Sequence, residues 1–308
     1  MFFLPRSAHA NRRAPKAVTL PTLTLTLTLA AASPLLPSRA MAAETTASLI
    51  ETGQLKFQKG DLPGALAAFA AAQKLSPGDA QPLILRGSVY QKLGKLAEAE
   101  ADLRAALRLN PKLPNAFEVR AELAAILTDS KRPKEAAELL EQLVRENPRH
   151  TDSLYNLGLA REALGNFAGA AEAYGRAVQQ KPAELDARLS LAGALRKAGR
   201  HAEALAAARE ALTLAGKLAA APTVQAQIHD ELGLSQRRLG DLKGAEASFR
   251  AALKLAPTMH GVRLHLCTTL AAAGRCPEAL RESESLPTTA PFAEQVQKLR
   301  AGCQNPKK

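Results

Sequence analysis

The feature that most constrains the fold of this chain is an internal repeat of about 34 residues. Four units share one ladder of small and large residues, with successive offsets of 12, 4, 3 and 5 residues. Their members are Gly53, Ala65, Phe69, Ala72, Pro77; Gly87, Ala99, Leu103, Ala106, Pro111; Gly158, Ala170, Tyr174, Ala177, Pro182; and Gly233, Ala245, Phe249, Ala252, Pro257. A period of this length is typical of solenoids built from helical pairs.

Each unit predicts two amphipathic helices, because apolar residues recur at three- and four-residue spacing with charge on the opposite face. A glycine separates the two helices, at the point where the chain must leave the first of them through a positive φ. These glycines are Gly60, Gly94, Gly165, Gly199, Gly240 and Gly274. The proline near the end of each unit stops the second helix, because it has no N–H to donate.

These residues resemble the tetratricopeptide repeat family, over about residues 44 to 291. Three weaker units complete the pattern: Ala124, Ala136, Leu140, Leu143, Pro148; Ala192, Ala204, Ala208, Ala211, with Gly216 in place of the proline; and Cys267, Ala279, Ser283, Leu286, Pro291. The chain has no Trp, and leucine fills the Trp position of the family. The resemblance implies an all-α, right-handed superhelical solenoid of about seven antiparallel helix pairs with a C-terminal cap helix.

Three segments follow from the repeat: residues 1–42 outside the fold, a solenoid over 43–291, and a cap helix with a tail over 292–308. The intervals between unit-ending prolines are 34, 37, 34, 75 and 34 residues. The interval of 75 holds two units and seven extra residues, which we place at 216–225, where they lengthen a helix or open a linker and allow a hinge. Three extra residues fall near 111–116.

Composition argues against an enzyme and against a nucleic-acid binder. Apolar residues make up 46% of the chain but aromatic residues only 4%, which leaves few groups to build a pocket. No nucleotide loop, carboxylate pair or nucleophile–base pattern is present, so we expect no catalytic residue and no cofactor. The net charge is +12, but the first 42 residues carry five cations and no acid, and removing them leaves +7 interspersed with acids along helix faces.

The N-terminal 42 residues have the layout of a secretory signal. Basic residues precede a weakly apolar stretch, and Ala40, Met41 and Ala42 form a small-x-small site with cleavage after Ala42. The stretch is rich in Thr and interrupted by Pro, which disfavours a permanent membrane span. We therefore expect a periplasmic or secreted protein, by an export route that the Arg12-Arg13 pair leaves open. The alternative is initiation at Met41, which would give a cytoplasmic protein.

The three cysteines predict a buried residue and a candidate disulfide. Cys267 occupies the small position of the seventh unit, where a buried thiol is expected. A cap helix packed beside the last pair would bring Cys303 near Cys276, and in an oxidising compartment the two would form a disulfide; otherwise they are free thiols. His260 and His265 lie near Cys267, but their spacing does not place all three on one helical face and no second cluster completes a tetrahedral set, so no metal site is expected.

In the resembled family, first helices line the concave face, where ligands lie. The apolar residues at the corresponding positions of this chain predict a partner-binding groove: Ile50, Ile84, Tyr155, Leu159, Leu189, Leu234 and Leu264. The alternative is that this row packs between neighbouring units as core. Farther along the same helices lies a predicted basic rim: Arg196, Lys197, Arg237 and Arg238. It would attract an acidic stretch, or its members are solvated helix ends.

The sequence thus predicts a non-enzymatic scaffold or adaptor that holds a peptide segment or a folded partner, in cell-envelope assembly. Two other functions remain open: an accessory subunit that presents substrate to a separate envelope enzyme, and a cytoplasmic regulator that starts at Met41. The oligomeric state is not predicted.

Overall fold

A computed structural model of the chain describes residues 45–304, which form a helical solenoid with no strand in that range. The helices are α1 Thr46–Gln58, α2 Leu62–Leu75, α3 Gln81–Lys92, α4 Leu96–Leu109, α5 Ala116–Asp129, α6 Pro133–Glu146, α7 Thr151–Ala163, α8 Phe167–Gln180, α9 Leu185–Lys197, α10 His201–Lys217, α11 Pro222–Arg238, α12 Leu242–Leu255, α13 His260–Ala272, α14 Cys276–Ser283 and α15 Phe292–Gln304. Each helix packs against the next one along the chain. The predicted all-α solenoid of seven pairs with a terminal helix is confirmed.

The two ends of the chain, 1–44 and 305–308, lie outside the part that the structure describes. The predicted signal sequence at 1–42 lies outside the described residues, and so does the end of the tail at 305–308. None of the helices within 45–304 combines the length and the apolarity needed to cross a bilayer.

The small and large residues of the ladder meet at the interface between the two helices of a unit. Gly158 on α7 is buried directly against the ring of Tyr174 on α8, and a Cβ at Gly158 would overlap that ring. Tyr174 is fully buried. The same contact joins Gly53 to Phe69 in the first pair. Because these positions lack a side chain, the second helix approaches the first closely enough for its aromatic ring to fill the interface.

The turn between the two helices of a unit uses a left-handed residue, as predicted. All six predicted glycines have φ between 72° and 83°. A Cβ added at any of them would meet nothing within 4 Å, so the requirement is for backbone conformation and not for space. The third unit has no glycine here, and Lys131 adopts φ 59° instead. This position therefore carries a conformational cost that the other units avoid.

We expect Lys131→Gly to stabilise the protein by about 1 kcal/mol, because glycine enters the left-handed region without the Cβ clash that Lys131 bears. Urea denaturation followed by circular dichroism measures the gain. Lys131→Ala is the matched control: it removes the same charge and keeps the clash, so it should gain nothing. An equal gain from both substitutions would mean that charge, and not backbone conformation, limits stability at this turn.

The seven extra residues of the longest interval lengthen two helices. α10 and α11 have 17 residues each, whereas α8 has 14 and α9 has 13. The connection 218–221 has four residues, the same number as 181–184 after the preceding unit. Ala215 and Ile228, on either side of it, are fully buried in one cluster. The linker is therefore not opened. The three extra residues near 111–116 are divided in a similar way. They give a longer connection, 110–115, and one added residue in α5.

Candidate functional site

The row of predicted groove residues lies on the first helices of successive units, and five of its seven members are partly exposed. These are Ile84, Tyr155, Leu159, Leu189 and Leu234.

The two end members of the row differ from the prediction, because both are buried. Ile50 retains 9% exposure and packs with Leu49 and Ala72, while Leu264 retains 6% and packs in the last core cluster. Leu264 also lines a cavity to which the terminal helix α15 contributes residues. Both residues therefore belong to the core and not to an open groove.

Tyr155 lies at the junction of two core clusters. Its side chain packs against a cluster that spans the second to fifth units and against a cluster of the fourth to sixth units. Its ring centroid lies 5.5 Å from that of Tyr174, with the two planes inclined at 50°. Leu159 and Leu189 pack against the margin of the second of these clusters. We refer to Tyr155, Leu159 and Leu189 as the central apolar patch. Ile84 packs against the first of the two clusters but not the second, and Leu234 packs against the last cluster of the solenoid.

Half of the predicted basic rim is neutralised inside the molecule. Arg196 Nε donates to Glu231 Oε2 at 2.7 Å, and Lys197 Nζ donates to Glu162 Oε1 at 2.6 Å. Burial lowers the pKa of Arg196, but the charge and hydrogen bonds of Glu231 outweigh that effect and leave the pKa raised. Arg196 and Lys197 therefore join neighbouring units and are not available as a free basic rim.

These contacts belong to a series that joins four pairs of neighbouring first helices: α3 to α5, α7 to α9, α9 to α11 and α11 to α13. Ser88 Oγ donates to Glu122 Oε1 at 2.8 Å, and His265 Nδ1 lies 2.8 Å from Asp230 Oδ1. The partners are 34 or 35 residues apart, one repeat period. Sequence reasoning missed the series, although pairing polar residues one period apart would have found it. Interactions of this kind fix the position of adjacent first helices.

Glu122 and Arg237 are partly buried on first helices and have no ion-pair partner among residues 45–304. Burial raises the pKa of Glu122, whose hydrogen bond from Ser88 only partly opposes that effect. Burial and repulsion by Arg238 lower the pKa of Arg237, which donates from Nη1 to Thr268 Oγ1 at 2.6 Å. Arg238 is exposed.

The last repeat is joined to the terminal helix by a covalent bond. Cys276, at the start of α14, forms a disulfide with Cys303 in the last turn of α15, with a Cα–Cα distance of 5.6 Å. Cys267 is a buried free thiol, and burial raises its pKa to about 11, which makes it a poor nucleophile. No group of three His, Cys, Asp or Glu side chains within 45–304 is arranged to hold a metal ion.

Comparison with known families decides the classification. Sequence models described as tetratricopeptide repeat match residues 84–151, 127–184, 155–223 and 237–303. The chain belongs to the tetratricopeptide repeat family. Proteins of this family bind protein or peptide partners. No curated protein matches the chain.

Solved structures agree with this membership. A tetratricopeptide repeat protein from Parabacteroides merdae superposes with a TM-score of 0.59 at 19% identity, over 84% of this chain and 99% of that one. A structure of MamA protein gives a TM-score of 0.52 at 26% identity, over 56% of this chain and 93% of that one. YrrB, described as a TPR protein with an unusual peptide-binding site, gives 0.54 at 21% identity, over 67% and 98%.

Proposed function

We propose that this tetratricopeptide repeat protein is a non-enzymatic scaffold that binds a peptide segment of a partner protein along its first helices. The observation that carries the proposal is the central apolar patch. Tyr155, Leu159 and Leu189 remain partly exposed although each packs against the core on one side. Apolar side chains that stay exposed as a group, instead of singly, are typical of interaction surfaces.

The surroundings of the patch favour a preformed site. The ion pair between Glu162 and Lys197 links α7 to α9, the two helices that carry the patch. The phenol of Tyr174 donates to Glu162 Oε2 at 3.1 Å, so the same carboxylate also ties the second helix of the unit to the first. A surface held in this way loses little conformational entropy when a segment binds, which favours affinity.

We expect a photoreactive phenylalanine analogue in place of Tyr155 to yield a discrete crosslinked partner in cells, because a segment on the patch would contact this ring directly. Mass spectrometry of the product identifies the partner. The matched control is the same analogue in place of Glu172, which is exposed on the second helix α8. No product from Tyr155, or identical products from both positions, would mean that the patch is merely the edge of the core.

We also propose export across a membrane into the cell envelope. Support comes from the N-terminal 42 residues, whose basic start, weakly apolar stretch and Ala40-Met41-Ala42 site match a cleaved signal. N-terminal sequencing of the protein purified from its native cells should begin at Ala43. A start at Met41 would instead indicate a cytoplasmic regulator and would contradict the envelope role.

A further inference from the structure

A cavity of about 700 Å³ lies at the C-terminal end of the solenoid, between α13, α14 and α15. It is separate from the central apolar patch, which lies on α7 and α9. Its walls include Leu264 and Thr268 on α13, Cys276 on α14, and Lys298, Leu299 and Cys303 on α15. This volume is sufficient for one or two side chains of a bound segment.

The cavity combines an apolar interior with cations at its margin. Leu264 and Leu299 are buried and supply apolar wall. Lys298 lines the cavity from α15 and is exposed. Arg237 reaches the same wall from α11, since its Nη1 lies 2.6 Å from the hydroxyl of the lining residue Thr268. The cavity therefore adjoins side chains from α11, α13, α14 and α15.

The two cations are not balanced within the molecule. No carboxylate of residues 45–304 lies within ion-pair distance of Arg237 or Lys298, whereas Arg196 and Lys197 on the same face are both paired. The charge of Asp230 raises the pKa of Arg237, but this carboxylate already lies 2.8 Å from the ring of His265. An anion at this margin would accept hydrogen bonds from both cations, as Glu231 and Glu162 do from Arg196 and Lys197.

We propose that this cavity binds a segment of a partner protein that presents a carboxylate next to an aliphatic side chain. The aliphatic group would enter between Leu264 and Leu299, and the carboxylate would accept from Arg237 and Lys298. Charge complementarity favours this occupant over the protein's own tail, because residues 305–308 read Asn-Pro-Lys-Lys and would add two cations. The site is additional to the central apolar patch.

The shape of the cavity depends on the disulfide between Cys276 and Cys303. Phe292 and Val296 pack against the core near the start of α15, and Leu299 is its one buried residue, so the disulfide is the contact that fixes the last turn of this helix. The bond between Cys276 and Cys303 fixes α15 against α14 and forms part of the cavity wall. Reduction should therefore release the wall that carries Lys298 and Leu299 and abolish binding, while the central apolar patch keeps its shape.

Selection of a phage-displayed library of random twelve-residue peptides against the oxidised full chain tests the proposal. We expect enriched peptides to carry Asp or Glu next to Leu, Ile or Val. Fluorescence polarisation of one such labelled peptide should show binding weakened about tenfold by Lys298→Met, which keeps the aliphatic stem. Lys243→Met, an exposed lysine at the start of α12, is the matched control and should have no effect. The Asn or Gln form of the peptide, and the Cys276→Ser/Cys303→Ser variant, should both bind poorly.

Other outcomes overturn the proposal. Enrichment without carboxylates, or binding that Lys298→Met and Arg237→Met both leave unchanged, would exclude a carboxylate site here. Binding lost in Tyr155→Asp but kept in Lys298→Met would place the peptide on the central apolar patch, which supports the proposed function and removes this one. A dimer of the full chain that Lys298→Met dissociates, with no peptide bound, would assign the cavity to a second copy.

Discussion

Tyr174→Ala should lower the free energy of unfolding by about 4 kcal/mol, because replacement of a fully buried aromatic ring removes its contacts and leaves a cavity. The ring fills the interface between α7 and α8 directly against Gly158, which has no side chain that could close the gap. Urea denaturation monitored by circular dichroism measures the loss.

The matched control is Tyr174→Phe, which keeps the ring and removes only the hydroxyl that donates to Glu162. We expect it to cost about 1 kcal/mol, the usual value of one hydrogen bond. In the Tyr174→Ala background, Gly158→Leu should recover part of the loss by filling the cavity from the opposite helix. Equal losses from Tyr174→Ala and Tyr174→Phe would show that the hydroxyl, and not the ring, holds this pair together.

Glu231→Ala should lower the free energy of unfolding by about 3 kcal/mol, because it leaves the guanidinium of Arg196 largely buried without its counter-ion. The side chains of Arg196 and Glu231 retain only 19% and 12% exposure, so water replaces the lost partner poorly. The same denaturation experiment measures the effect.

A double-mutant cycle separates the pair from the individual residues. Arg196→Met keeps the stem of the side chain, and in that background Glu231→Ala should cost much less, because no cation is left unpaired. Glu172→Ala, an exposed glutamate on α8, should produce no measurable change. Additive losses in the cycle would mean that the two residues act independently and that their contact does not join the fifth and sixth units.

The repeat itself could be predicted from sequence because its determinants are local and recur. Three units pair a glycine on the first helix with an aromatic ring on the second, as Gly158 and Tyr174 do, and the other units keep the same spacing with other residues. Five of the six unit-ending prolines behave as predicted, and α8, for example, ends at Gln180, two residues before Pro182. Proline disfavours helical conformation in the residue before it, so the chain leaves the helix there. The exception is the seventh unit, where α14 ends at Ser283, eight residues before Pro291.

The sequence does not show how extra residues are divided between neighbouring helices. The interval of 75 residues shows that seven are extra, but not that three extend α10 and four extend α11. Likewise, the left-handed conformation of Lys131 is not encoded by the residue type, since the conformation is imposed by the turn that the neighbouring helices require.

The exposure of the predicted groove and the pairing of the predicted basic rim could not be predicted from one repeat unit at a time. Leu264 occupies the same position as Leu189, yet the adjacent terminal helix buries the first and leaves the second partly exposed. Arg196 and Lys197 look like free cations until the acids one period away are considered. Exposure and charge balance are properties of neighbouring units together, so they follow from the pattern only when units are compared in pairs.

The elongated pair α10 and α11 also changes what a bound chain would encounter. A surface that repeats every 34 residues offers nearly equivalent positions, so that a ligand shifted by one unit would find similar contacts. The added residues extend α10 by roughly 4.5 Å and α11 by roughly 6 Å relative to α8 and α9, at ~1.5 Å per residue. This extension breaks the translational symmetry of the stack and distinguishes one alignment of a long ligand from the next.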